Sequence, residues 1–259
     1  MRKVKLLAAL VLVLAVMVAL KCCNGKEKET PEALTNDQEA VETIAKSDGE
    51  KVPLGVVAEN ESGGVSITVT GEDGAQETYV FEDVAPDSWY IDAVNYVVST
   101  GLMKGSEDAP LFQPEYGIQR VQFAAVLYRL AGGEHEVAKN RFSDLEGDGT
   151  EWFMDYVAWI TNHGYMNGKG DGTFDPYGFI TCEVALIVLY RLAGEPKPEG
   201  TLEGYPYAPK VSSEGRDAVA WAWNSGLINE EECVWYPTQA ISRAQGAALF
   251  MRYSAAMMK

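Results

Sequence analysis

Two arginines, Arg120 and Arg243, stand where an apolar, helix-periodic run begins. A helix start carries unpaired backbone N–H groups and the positive end of the dipole, so a cation is disfavoured there. A guanidinium beside such donors makes a carboxylate or phosphate site; otherwise it is solvated or paired with a neighbouring acid. The two share a context. Ile118-Gln119-Arg120-Val121-Gln122 and Ile241-Ser242-Arg243-Ala244-Gln245 have a third counterpart, Ile180-Thr181-Cys182-Glu183-Val184, in which a thiol replaces the guanidinium. Arg129, Arg191 and Arg252 recur near the ends of the same runs, where they complement the dipole and read as structural.

The motif recurs about every 62 residues, and a fixed period of that kind signals a repeat architecture. The register extends upstream. Trp89-Tyr90, Asp92-Ala93-Val94 and Gly101-Leu102-Met103 precede the first motif. Trp152-Phe153, Asp155-Tyr156-Val157 and Gly164-Tyr165-Met166 precede the second. Asp217-Ala218-Val219 and Gly226-Leu227-Ile228 precede the third, which has Glu214 in place of the Trp. Each copy has an aromatic-x-Pro triplet: Phe112-Gln113-Pro114, Phe174-Asp175-Pro176 and Trp235-Tyr236-Pro237. Two copies open alike, with Phe81-Glu82-Asp83-Val84 and Phe142-Ser143-Asp144-Leu145.

This pattern resembles the S-layer homology family, whose repeats open on a Phe-x-Asp-Val-like segment and carry an Ile-Thr-Arg-Ala-Glu-like motif. The resemblance covers about residues 81 to 255. It implies a cell-wall anchoring module that binds secondary cell-wall polysaccharide, often pyruvylated, in grooves between repeats. On that reading Arg120 and Arg243 hold carboxylates, and Trp89 and Trp152 either stack on sugar rings or pack in the core. Asp83 and Asp144 bond a sugar hydroxyl or cap the following helix; Gly105 and Gly168 admit a ligand closely or simply turn the chain, and Glu230 replaces them in the third copy. Taken repeat by repeat, the first has Trp89, Gly105 and Arg120 together, the third keeps only Arg243, and the second has Cys182. The groove using Arg120 is therefore expected to contribute most of the affinity.

The elements that must position these residues are mainly α. Each copy reads as helix, loop, helix: Tyr90, Ala93, Val94 and Val97 give one stripe, Gly101 ends it, and Val121, Ala124, Ala125 and Leu127 give the second. Small residues in the second helices imply that these pack together around a pseudo-threefold axis. Ser242 with Gln245 makes a capping box, Thr181 caps alone, and Gln119 is a poor cap. The domain reading is a leader at 1–23, a flexible tether at 24–64, a β-hairpin at 65–80, and repeats at 81–133, 140–194 and 205–259. Cys22-Cys23 at the end of the leader invites lipidation, although Lys21 is a poor residue before a lipidated Cys. The membrane is reached only through that leader, if it is retained or lipidated.

A net charge of −17 argues against nucleic acid, which needs a basic footprint, and leaves binding of an anionic polymer to local pockets. Only His135 and His163 offer imidazoles and no Cys-x-x-Cys is present, so neither a zinc site nor any cofactor is expected. Asp144-x-Glu146-x-Asp148-Gly149 running to Asp155 resembles a calcium loop, but lacks the bidentate Glu at its twelfth position. Cys182 and Cys233 leave two states open, a bridge or two independent buried thiols. No catalytic motif appears. The reading is a secreted, non-enzymatic, monomeric cell-surface anchor. The alternatives are a cell-wall glycan hydrolase or an assembly module that binds protein.

Overall fold

The computed structural model describes residues 43–45, 51–139, 142–145, 152–230 and 232–257. The leader with Cys22 and Cys23, most of the tether, and Glu146 to Gly149 lie outside the described residues. Among the described residues five strands come first: β1 (Thr43–Ala45), β2 (Lys51–Pro53), β3 (Val56–Glu59), β4 (Val65–Thr70) and β5 (Gln76–Phe81). Six α-helices follow among them: α1 (Ile91–Ser99), α2 (Arg120–Leu130), α3 (Met154–Asn162), α4 (Cys182–Leu192), α5 (Arg216–Asn224) and α6 (Arg243–Met257). None of the described helices is long and apolar enough to cross a membrane.

The expected hairpin is the β4–β5 pair, with Thr70 opposite Gln76. It is not alone. The stretch read as tether up to Gly64 contains β3, which adds antiparallel to β4, and the β1–β2 pair. All four side chains of β3 are exposed, so no apolar alternation marks it; backbone pairing alone holds it. The sheet leans on the first helix. Val65 and Ile67 are fully buried, Asn95 Nδ2 donates to the Gly55 carbonyl at 2.9 Å, and the Gly55 N–H donates to Ser99 Oγ at 2.8 Å. A third strand and this docking supply what an isolated hairpin lacks in water.

The helices pack in a cyclic order. α2 lies on α3, α4 on α5, and α6 returns to α1. Each first helix ends on a glycine with positive φ, namely Gly101, Gly164 and Gly226. The second helices are buried on most faces; in α6 every residue from Ala244 to Phe250 is buried, as for helices surrounded by protein. Phe123 of α2 and Phe250 of α6 meet at 5.2 Å, and a Cβ on Gly246 would come within 2.3 Å of Ile118 Cδ1. Beneath the helix starts runs a cycle of three hydrogen bonds. The Ile118 N–H donates to the Ile241 carbonyl at 3.0 Å, Ile241 N–H to Ile180 at 3.0 Å, and Ile180 N–H to Ile118 at 2.9 Å.

Candidate functional site

The helix starts are not free donor sites. Arg120 N–H bonds the Gly178 carbonyl and Val121 N–H that of Pro176; Cys182 and Glu183 bond Gln239 and Pro237; Arg243 and Ala244 bond Tyr116 and Pro114. Each helix start is thus docked on the aromatic-x-Pro loop of another copy. Thr181 Oγ1 accepts from Val184 N–H, and Ser242 with Gln245 forms the full reciprocal box. Gln122 Oε1 accepts the Gln119 N–H at 3.0 Å, so the first copy gains half of a box that Gln119 does not advertise.

The two arginines follow their helices across. Arg120 donates from Nε to the Phe174 carbonyl (2.8 Å) and from Nη2 to that of Asn167 (2.7 Å), with Cζ 4.9 Å from the Phe174 ring centroid. Arg243 does the same with Phe112 (2.7 Å) and Lys104 (2.7 Å), Cζ standing 4.7 Å from the Phe112 ring. Burial lowers the pKa of both guanidiniums, opposed by Asp175 and Asp144 at Arg120 and by Asp83 at Arg243. They stay charged. Nη1 of each makes no hydrogen bond among the described residues.

Two grooves result. The first, about 470 Å³, is lined by Gly101 to Gly105, by Gln122 and Arg129 of α2, by Trp152, and by Arg243. The second, about 260 Å³, is lined by Met166 to Lys169, by Val184 and Arg191 of α4, by Glu214, and by Arg120. Each takes its loop and second helix from one copy, the Trp or Glu position from the next, and its arginine from the remaining copy. The expected grouping of Trp89, Gly105 and Arg120 is therefore wrong. Gly105 shares a groove with Trp152 and Arg243, whereas Arg120 lines the other with Gly168 and Glu214. The cause is the cyclic packing, which hands each copy's helix start to its neighbour.

Asp83 and Asp144 do not cap the following helices. Asp83 accepts from Phe112 N–H (2.8 Å) and Gln113 N–H (2.7 Å), and Asp144 from Phe174 N–H (2.9 Å) and Asp175 N–H (2.7 Å). These latches hold Gln113 and Asp175 at φ of 60° and 59°, which non-glycine residues seldom adopt. Asp144 is thereby committed to backbone, away from the calcium loop considered above. Gly105 and Gly168 make room for protein at the back of the grooves they line. A Cβ at either would lie 2.6 Å from the ring of Phe81 or Phe142. Trp152 is 56% exposed at the groove edge, and Trp89 is 38% exposed. Arg129, Arg191 and Arg252 each donate to the carbonyl of Leu102, Tyr165 or Leu227, the structural part expected of them, and the first two also line grooves.

The third interface is rebuilt around Cys182. The carbonyls that an arginine would bridge there belong to Trp235 and Asn229. They accept instead from the Tyr205 hydroxyl and from Trp235 Nε1 (3.0 Å). Glu230, at the glycine position, accepts the Trp235 N–H at 3.0 Å and takes over the latch. Glu183 accepts from the N–H and hydroxyl of Ser212. Cys182 and Cys233 are both free thiols. Burial raises Cys182 to about 12 and Cys233 to about 11, so both stay protonated. Tyr205, Lys104, the donor role of Trp235 and the groove role of Arg129 were not evident from the sequence. Tyr205-Pro206-Tyr207 in place of Phe-x-Asp, together with Glu230, was the available sign.

Residues 80–124 and 141–181 match the family model of the S-layer homology domain. Cell surface glycoprotein 1 of Acetivibrio thermocellus is 29% identical over 161 residues, 58% of this chain and 6% of the relative. The S-layer protein sap of Bacillus anthracis is 26% identical over 64% of this chain and 20% of its own length. The exoglucanase XynX of A. thermocellus is 23% identical over 76% of this chain and 18% of its own. The chain thus spans at most a fifth of these curated relatives. Both segments matched by the family model carry Phe-x-Asp from their second residue.

Proposed function

We propose that residues 81–257 are three S-layer homology repeats, set about a pseudo-threefold axis, that anchor the protein at the cell surface by binding a secondary cell-wall polysaccharide. The observation that carries this is the pairing of an exposed indole, Trp152, with Arg243 in one groove. An indole face stacks on a sugar ring, and a guanidinium with a nitrogen to spare holds an anionic substituent such as a pyruvate ketal. Lys104 and Arg129 add positive charge at the same place. A chain of net charge −17 repels such a polymer at long range, so binding should not strengthen at low salt as it does for nucleic-acid binders.

The anchor is non-catalytic on this reading. Where a relative such as XynX is named an enzyme, the match spans only 18% of it. The test is co-sedimentation of the protein with purified walls, intact and after acid extraction of the secondary polysaccharide. Binding is expected only to intact walls, and equal binding to both rejects the reading. Release of soluble glycan fragments in the same tubes would instead favour a hydrolase.

A further inference from the structure

We infer that the two grooves take different sugars: the first a carboxylate-bearing unit, the second an uncharged, hydroxyl-rich one. This rests on the anchoring role proposed above and concerns which part of the polymer each groove reads.

Both grooves are lined by three basic residues and one acid. What differs is pairing. In the second groove Glu214 occupies the place that Trp152 has in the first, and its carboxylate lies 2.9 Å from Arg191 Nη2. Lys169 is likewise 3.6 Å from Asp175. In the first groove neither Arg129 nor Lys104 has an acidic partner among the described residues; Arg129 lies over the Tyr156 ring at 5.8 Å.

A carboxylate reaching Arg191 in the second groove must displace Glu214 and then lie beside its charge, and one reaching Arg120 meets the field of Asp175 and Asp144. A neutral vicinal diol meets no such conflict, because one hydroxyl donates to Glu214 while the other accepts from Arg191. That groove also lacks the indole and encloses about 260 Å³ against about 470 Å³, so it suits a bare ring.

The test is calorimetric titration of the full chain with a secondary polysaccharide carrying pyruvate ketals, and with the same polymer after the ketals are hydrolysed. Trp152→Ala disables the first groove. Its residual binding should be the same within twofold for the two polymers. Adding Glu214→Gln should then act in opposite directions: at least fivefold weaker binding of the hydrolysed polymer, and at least threefold tighter binding of the ketal form as Arg191 is freed. Glu214 is 70% exposed, so the change leaves the fold intact. If Glu214→Gln shifts both polymers alike or neither, the inference is overturned. It is overturned too if Trp152→Ala abolishes all binding, although anchoring through the first groove then stands. If the unaltered protein binds neither polymer, the anchoring role itself fails.

Discussion

The first groove and the third interface answer one structural need with different atoms. Both present two loop carbonyls that require donors. In the first groove Arg243 supplies them, and its Nη1 makes no hydrogen bond among the described residues. At the third interface Tyr205 and Trp235 supply them, and the arginine position holds a buried thiol. Arg243 is therefore a staple between copies as well as a groove residue. Where the arginine is absent, at Cys182, other donors take over, and they are aromatic groups.

The sharpest way to break this comparison is to exchange the solutions. Cys182→Arg would bury a charge whose acceptors are already taken, at a position that is 2% exposed, and should cost about 3 kcal/mol in urea unfolding. It is not expected to restore a groove, because the carbonyls an arginine would bridge already have donors. Combining it with Tyr205→Phe should recover part of the loss, and a double-mutant cycle measures that coupling. Equal and additive losses would show that the hydroxyl and the guanidinium do not compete.

Arg243→Ala should cost about 2–3 kcal/mol, since it leaves two carbonyls without charge-assisted donors, and should also abolish binding in the first groove. Arg243→Lys should rescue little, because an ammonium cannot span both carbonyls in a planar fork.

Alkaline pH probes the thiol side. A thiol raised from 9.0 to about 12 in the folded protein stays neutral while its unfolded counterpart ionises. Stability from this group is full below pH 9 and declines as the pH rises toward 12. Cys182→Ala should flatten that decline in unfolding curves taken across this range.

The latches give the smallest effect. Gln113→Gly should stabilise by about 0.5–1 kcal/mol by relieving the left-handed backbone that Asp83 imposes. Tyr236→Gly, at the same place in the third copy where φ is not positive, should destabilise.

What the sequence made legible was local. The periodic motif, the helices with their glycine ends, the β4–β5 hairpin and the Ser242 box depend on residues a few positions apart. Strand β3 was hidden because its side chains all face solvent and only its backbone pairs. Groove membership was hidden for a different reason. A sequence groups Trp89, Gly105 and Arg120 by copy, whereas the fold offsets them, so that Trp152, Gly105 and Arg243 meet from three copies. The substitutions at Cys182, Tyr205, Glu230 and Trp235 look like decay when read singly; in space they are one compensated exchange.

The cycle joining Ile118, Ile180 and Ile241 sets a limit on copy number. A linear array of repeats can gain or lose a unit at its end, because each unit touches only its neighbours. Here Ile118 N–H needs the Ile241 carbonyl, and the Ile180 carbonyl needs the Ile241 N–H. Deleting the last unit would orphan one group in each of the other two and strip α1 of α6. Adding a fourth would find every donor and acceptor of the cycle taken. The three hydrogen bonds close on themselves, so removing any one of the three motifs breaks two of them.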